Sequence, residues 1–230
     1  MNRKGSKARE TAQTLASQTV SRQRVTDHGE VFTSEREVNA MLDLVEQEAQ
    51  RIDSRFLEPA CGTGNFLAEV MRRKLAVVEK RYGRRQSDYE RYAVLAASSI
   101  YGIDILDDSI QECRSRLLDI FCARYNALFG EKAQSRCKDA VACILRLNIT
   151  RGDALSLKTV GEDPGPIIFP EWSPINSVLM KRRDFSFQDL LAHEAHKELP
   201  LFSDLGEDVF IPTPVKEYPP VHFLELADAY

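Results

Sequence analysis

The sequence predicts an α/β fold, a mostly parallel sheet flanked by helices, from three observations. Short apolar runs lead into Glu58, Asp104 and Asp153. Stretches with apolar residues at helical spacing lie between them. A turn with two glycines, Gly62-Thr63-Gly64, joins the first run to the first such stretch. Strands alternating with helices give a parallel sheet with crossover helices.

The elements follow in order. Residues 1–24 have no apolar period and carry six Lys/Arg against one acid, Glu10, so they are expected to be a flexible basic arm. Ser34 and Glu37 have capping-box spacing. Val38, Met41, Leu42, Val45 and Ala49 follow at helical spacing, which predicts a helix over 35–50. Arg55-Phe56-Leu57 reads as a strand, and a helix is expected from Asn65, read as its cap, with Phe66, Leu67, Val70 and Val77 or Val78 inward. Residues 80–91 are polar and basic and read as a surface insertion. Ile100–Ile105 is the second strand. Asp107 and Asp108 open a helix carrying Ile110, Cys113, Leu117, Phe121, Tyr125 and Leu128 on one face, ended by Gly130. Leu147–Thr150 is the third strand, running out at Asp153, and Pro166–Phe169 is a candidate fourth. Nine of the ten prolines lie beyond residue 160. The expected division is therefore an arm (1–24), a core (25–160) and a Pro-rich acidic extension (161–230), with one helix over 188–199 and otherwise irregular chain.

Composition narrows the class. With 43% hydrophobic and 29% charged residues the 230-residue chain is expected to be globular. It has no apolar run of bilayer-spanning length and no apolar signal stretch, so no membrane is expected and the location reads as cytoplasmic. Five scattered cysteines without a C-x-x-C pair read as reduced thiols, with Cys113 and Cys122 as core residues. The net charge of −4 does not announce nucleic-acid binding, although the basic arm is a local exception.

The chemistry concentrates at the three strand ends. Ligands of open α/β sheets bind beyond the carboxyl ends of the strands, and Gly62 and Gly64 let a ligand approach the main chain there. Leu67 stands where the dinucleotide fingerprint needs its third glycine, and no Gly-Lys-Ser/Thr follows, so a nicotinamide dinucleotide and a phosphate loop lose ground. A carboxylate at Asp104 suits the two hydroxyls of a ribose, and one at Asp153 suits the exocyclic amine of adenine. A glycine loop, a ribose acceptor and an adenine acceptor, in that order, suit an adenosyl ligand without phosphates.

Phe56-Leu57-Glu58-Pro59-Ala60-Cys61-Gly62-Thr63-Gly64-Asn65-Phe66-Leu67 resembles motif I of the adenine-type DNA methyltransferases of restriction–modification systems, D/E-P-A-C-G-S/T-G-x-F-L. Gly29–Ser34 resembles the motif these enzymes place before it. Tyr101–Ile105 resembles their motif II, and Gly152–Leu155 their motif III. The resemblance covers residues 28–155. It implies a Rossmann-like methyltransferase sheet, truncated after its fourth strand, and a site for S-adenosyl-L-methionine. Phe32, Thr33, Glu58, Ala60 and Gly62 would lie at the methionine end, Asp104 at the ribose, and Ile105, Asp153 and Ala154 at the adenine, with Gly64 also among the cofactor-binding residues. Transfer to adenine N6 of DNA is the implied activity.

The family's Asn/Asp-Pro-Pro-Tyr/Phe tetrapeptide, which grips the flipped base, does not follow Pro166–Phe169. Phe169 or Trp172 as a stacking ring and Glu171 as an amine acceptor are the substitutes the sequence offers; the catalytic residues are otherwise unassigned. Two alternatives stay open: a cofactor-binding subunit, with a partner chain or second copy supplying base binding, and a DNA-binding regulator acting through its basic arm. Singly, Asp104 and Asp153 read more simply as caps or solvated strand ends, and Phe32 as a staple against the following helix. His193 and His196 read as a surface helix pair rather than metal ligands, so no metal is expected. Arg72-Arg73-Lys74 and Lys181-Arg182-Arg183 read as solvated faces.

Overall fold

The computed structural model describes residues 33–197 and 212–230. The basic arm, His28, the Gly29–Phe32 stretch and the side chains of His193 and His196 lie outside the described residues.

The capping box forms: the Glu37 amide donates to Ser34 Oγ at 3.4 Å, and Glu37 Oε2 accepts from the Ser34 amide at 3.0 Å. It opens α1 (Glu35–Leu44), which breaks at Val45 before a single turn, α2 (Glu46–Ala49). Val38, Leu42 and Ala49 are buried, whereas Met41 and Val45, expected inward, are exposed. β1 (Phe56–Glu58) leads through the glycine turn into α3 (Asn65–Tyr82), and α4 (Gln86–Ser98) precedes β2 (Ile100–Asp104). α5 (Asp107–Phe129), ended by Gly130, and α6 (Ser135–Asn148) precede β3 (Ile149–Asp153), which returns antiparallel as β4 (Lys158–Thr159).

The first sheet has the order β1-β2-β3-β4, with β1, β2 and β3 parallel. Both crossovers step the same way along the sheet, so with the usual right-handed sense they put their helices on one face. That face carries Ile100 and Ile149 and is sealed by Leu67, Val70, Ile110, Leu117, Phe121, Val141 and Ile144. Each fully buried aliphatic side chain of this set stabilises the fold by about 1.5–3 kcal/mol. The opposite face, Tyr101 and Ile103, packs on Ile167, Phe169 and Phe187.

Three local expectations are corrected. The 80–91 "insertion" continues into α4, with Tyr89 and Glu90 buried. Its apolar positions Tyr89, Ala93, Ala96 and Ala97 carried the helical period that the charged flanks obscured. Leu147 and Asn148 belong to α6, whose Cys137, Ala140, Val141 and Ile144 face the core, and the strand begins at Ile149. Asn65 is the first helical residue rather than the cap; Gly64 caps α3 with a left-handed backbone.

The chain beyond 160 is not irregular. β5 (Ile168–Pro174) and β6 (Leu179–Ser186) form an antiparallel hairpin, and β7 (Lys216–Glu217) and β8 (Val221–His222) pair with β6. The candidate fourth strand therefore does not join the parallel sheet. Prolines are compatible with β5 because it is an edge strand. The bonds Phe187 N to Ile167 O and Ile175 N to Leu179 O set the alternation, so the positions of Pro170 and Pro174 face away from β6, where no amide is needed. Asn176 Oδ1 closes the hairpin by accepting from the amides of Val178 and Leu179, both at 2.9 Å. α7 (Phe187–Lys197) follows β6, and α8 (Leu226–Ala229) ends the chain. Trp172, Met180, Phe223 and Leu226 share the main core with the parallel sheet. No described helix is long and apolar enough to cross a membrane.

Candidate functional site

The carboxyl ends of β1, β2 and β3 bring the expected residues to one edge of the sheet. Gly62 and Gly64 both have positive φ, 50° and 84°. A Cβ on Gly64 would stand 2.6 Å from Cys113 Sγ, so α5 presses directly on the turn; a Cβ on Gly62 would meet nothing within 4 Å. One glycine is thus demanded by packing and backbone together. The other faces open space, where a ligand can reach its main chain. Gly64 N donates to Cys61 O at 2.8 Å, and the Cys61 amide donates to Ile103 O at 2.9 Å, hanging the turn over the end of β2. No side chain caps the first turn of α3, which leaves its amides open toward the turn.

Asp104 sits at the centre. Its Oδ2 accepts from the Gly62 amide and its Oδ1 from the Leu106 amide, each at 2.9 Å. Every carboxylate oxygen has two lone pairs, so the two bonds fix the side chain and leave acceptor capacity on both oxygens for a vicinal diol. α4, rather than an exposed loop, takes up the long spacing between Gly62 and Asp104. Ile105, 48% exposed, follows it, and Arg151 Nε donates to Ile105 O at 3.1 Å.

Asp153 ends β3, with its Oδ1 accepting from the Leu155 amide at 2.9 Å. The Ser156 hydroxyl and that amide hold its carboxyl below the ordinary carboxylate range. Ala154 is half-buried, and Leu155 is 96% exposed. Ile105 and Leu155 are apolar side chains left in solvent on adjacent strand ends, one beside each aspartate.

Glu58 is half-buried, and burial pushes its carboxyl up while the Ala60 amide, 3.4 Å from Oε1, pulls it back. Ala60 is exposed. Thr33 is half-buried and reaches the same corner, its carbonyl accepting from Asn65 Nδ2 at 3.2 Å. Phe32 lies outside the described residues. The Cys61 thiol, hydrogen-bonded to Cys113 and buried, is pushed up and is no nucleophile at neutral pH.

The substitutes for the missing tetrapeptide are elsewhere. Trp172 Nε1 donates to Asn148 Oδ1 at 2.9 Å, at the amino end of β3. Phe169 is wedged between Tyr101 and Phe187. Glu171 accepts from Arg55 and Arg183. None of these partners belongs to the glycine turn, and β5 is paired with β6 rather than beside β1. The basic clusters are also not free faces. Lys74 is fully buried, Arg73 pairs with Asp43 and Glu69, and Lys181, Arg182 and Arg183 pair with Glu217, Asp184 and Glu171. Among the described residues no group of His, Cys, Asp and Glu is arranged to hold a metal ion. A hollow of about 410 Å³ between α6 and α8 involves none of the site residues.

Sequence reasoning missed Asn65 as a bridge, Arg116 as its partner, and Cys113 as the residue pressing on Gly64. Asn65 stood in a matching motif, but Arg116 lies 51 positions on, and nothing local marks it.

The class these features define is an α/β protein with a four-stranded, mostly parallel sheet and a polar strand-end site. Comparison of the chain with family models, with curated proteins and with solved structures gave no match.

Proposed function

We propose that the chain binds S-adenosylmethionine at the carboxyl ends of β1–β3 and serves methyl transfer to an exocyclic amine of DNA, adenine N6. One observation carries the reading: the Gly62 amide and the Asp104 carboxylate meet, at 2.9 Å, beside main chain that faces open space. The donor set fits the group. Asp104 retains acceptor capacity for the ribose diol, Ile105 and Leu155 can bracket a purine, and Asp153 can accept from its amine. Glu58 and the Thr33 segment border the methionine end. S-adenosylmethionine supplies a methyl group on a sulfonium, which an amine lone pair takes as the carbon–sulfur bond breaks toward sulfur and the amine loses a proton. The chain's own part is to orient that donor.

A second reading, a cofactor-binding half completed by another chain, is favoured by β1. Among the described residues no strand pairs with the edge of β1 turned from β2. A doubly wound sheet continues on that side, and its ligand crevice opens there.

The test is transfer of tritiated methyl from S-adenosylmethionine to DNA, by the chain alone and with its co-purifying proteins. Label in adenine that disappears with Asp104→Ala supports the enzyme reading. Label only with a second chain present supports the half-site reading. Absence of label in both, with cofactor bound, contradicts methyl transfer to DNA.

A further inference from the structure

We infer that Asn65 is a positioning residue for the methionine end of the cofactor, an inference that rests on the S-adenosylmethionine reading. Asn65 is the first residue of α3, where Gly64 already provides the cap. Asparagine is a poor helix former and gains nothing there from capping. Both ends of its amide are used instead. Nδ2 donates to Thr33 O at 3.2 Å, and Oδ1 accepts from the Arg116 guanidinium of α5, which also reaches Glu112 at 3.4 Å. A single side chain thus ties three segments together at the mouth of the glycine turn: the stretch before α1, the open first turn of α3, and α5.

The rest of α1 does not depend on this bridge. Arg73 clamps its middle by bonding Asn39 Oδ1 at 2.9 Å and Asp43 at 2.7 Å, and Val38 and Leu42 are buried beneath it. Loss of Asn65 therefore releases Thr33 from the turn while α1 stays docked. The wall that moves borders the amino-acid end of the ligand. The adenosine end, held by Asp104 and the β3 turn, is untouched.

The experiment compares calorimetric affinities for S-adenosylmethionine and for methylthioadenosine, which lacks the amino-acid end, in wild type, Asn65→Ala and Asn65→Asp. Loss of one half-buried polar contact predicts about tenfold weaker S-adenosylmethionine binding by Asn65→Ala with methylthioadenosine unchanged. Asn65→Asp keeps the Arg116 pair but cannot donate to Thr33, and is expected to match Asn65→Ala. Equal affinity of wild type and Asn65→Ala for S-adenosylmethionine overturns the inference alone, as does parallel weakening of both ligands, the mark of a merely structural role. Failure of the wild type to bind either ligand overturns the cofactor reading itself.

Discussion

At the amino end of the parallel sheet, polar side chains direct their donors into the protein. Lys74 gives its protons to the carbonyls of Arg51, Ile52 and Ser54 and to Ser99 Oγ, with Phe56 at 5.3 Å beneath the ammonium. Asn148 donates to Ser98 O and Ile100 O and accepts from Trp172. At the carboxyl end, Asp104 keeps free acceptor capacity, the first turn of α3 has no side-chain cap, and Ile105 and Leu155 stand in solvent. A buried polar group with all its partners stabilises and specifies the fold, while one left with capacity at a rim can bind something else. The first end holds the strands in register; the second is where the proposed ligand would gain contacts.

Breaking the comparison starts with its largest expected effect. Lys74→Met takes the ammonium donor from the Arg51 and Ser54 carbonyls and leaves Ile52 O with Ser99 Oγ alone, which costs about 3–5 kcal/mol in urea unfolding. Cofactor affinity of the folded protein should stay unchanged. Burial also pushes the Lys74 ammonium down from its ordinary 10.5 to about 7. Between those values the unfolded chain binds a proton that the folded chain does not, so stability rises with pH across the window and is lost as pH falls through it. The urea midpoint followed from pH 7 to 10 should climb in wild type and climb less in Lys74→Met.

Gly64→Ala is next, at about 2–4 kcal/mol, from a left-handed backbone and from overlap with Cys113. Trp172→Phe strands the buried Asn148 oxygen and should cost about 1–3 kcal/mol with no change in ligand affinity, because the ring lies at the closed end. Gly62→Ala sharpens the contrast. Its Cβ enters open space, so stability should fall by only about 1 kcal/mol, from backbone strain. That same methyl group stands where the proposed ligand would approach, so affinity for S-adenosylmethionine should drop strongly. Equal losses of stability and affinity in Gly62→Ala would erase the distinction between the two glycines.

The sequence made the carboxyl end legible and left the closed end hidden, for physical reasons. A glycine turn, a cap and acids at strand ends are local features, and Ser34–Glu37, Gly62, Asp104 and Asp153 took the positions their neighbours dictate. Lys74 looked like part of a charged face because its partners are backbone carbonyls on two other segments, which no side-chain pattern encodes. α4 was masked by charged residues around Tyr89. The prolines of β5 read as breakers because edge position and register, which make them harmless, are tertiary facts. Trp172 and Glu171 were offered as base-binding residues for want of a known strand partner.

The central claim is that the open end of the sheet binds an adenosyl ligand through Asp104. Calorimetric titration of the wild-type chain and of Asp104→Ala with S-adenosylmethionine tests it most directly. The account predicts saturable binding by wild type and a loss of about 1.5–3 kcal/mol, roughly 10- to 150-fold, in the variant. No heat of binding in wild type, or equal affinity in both proteins, would contradict it.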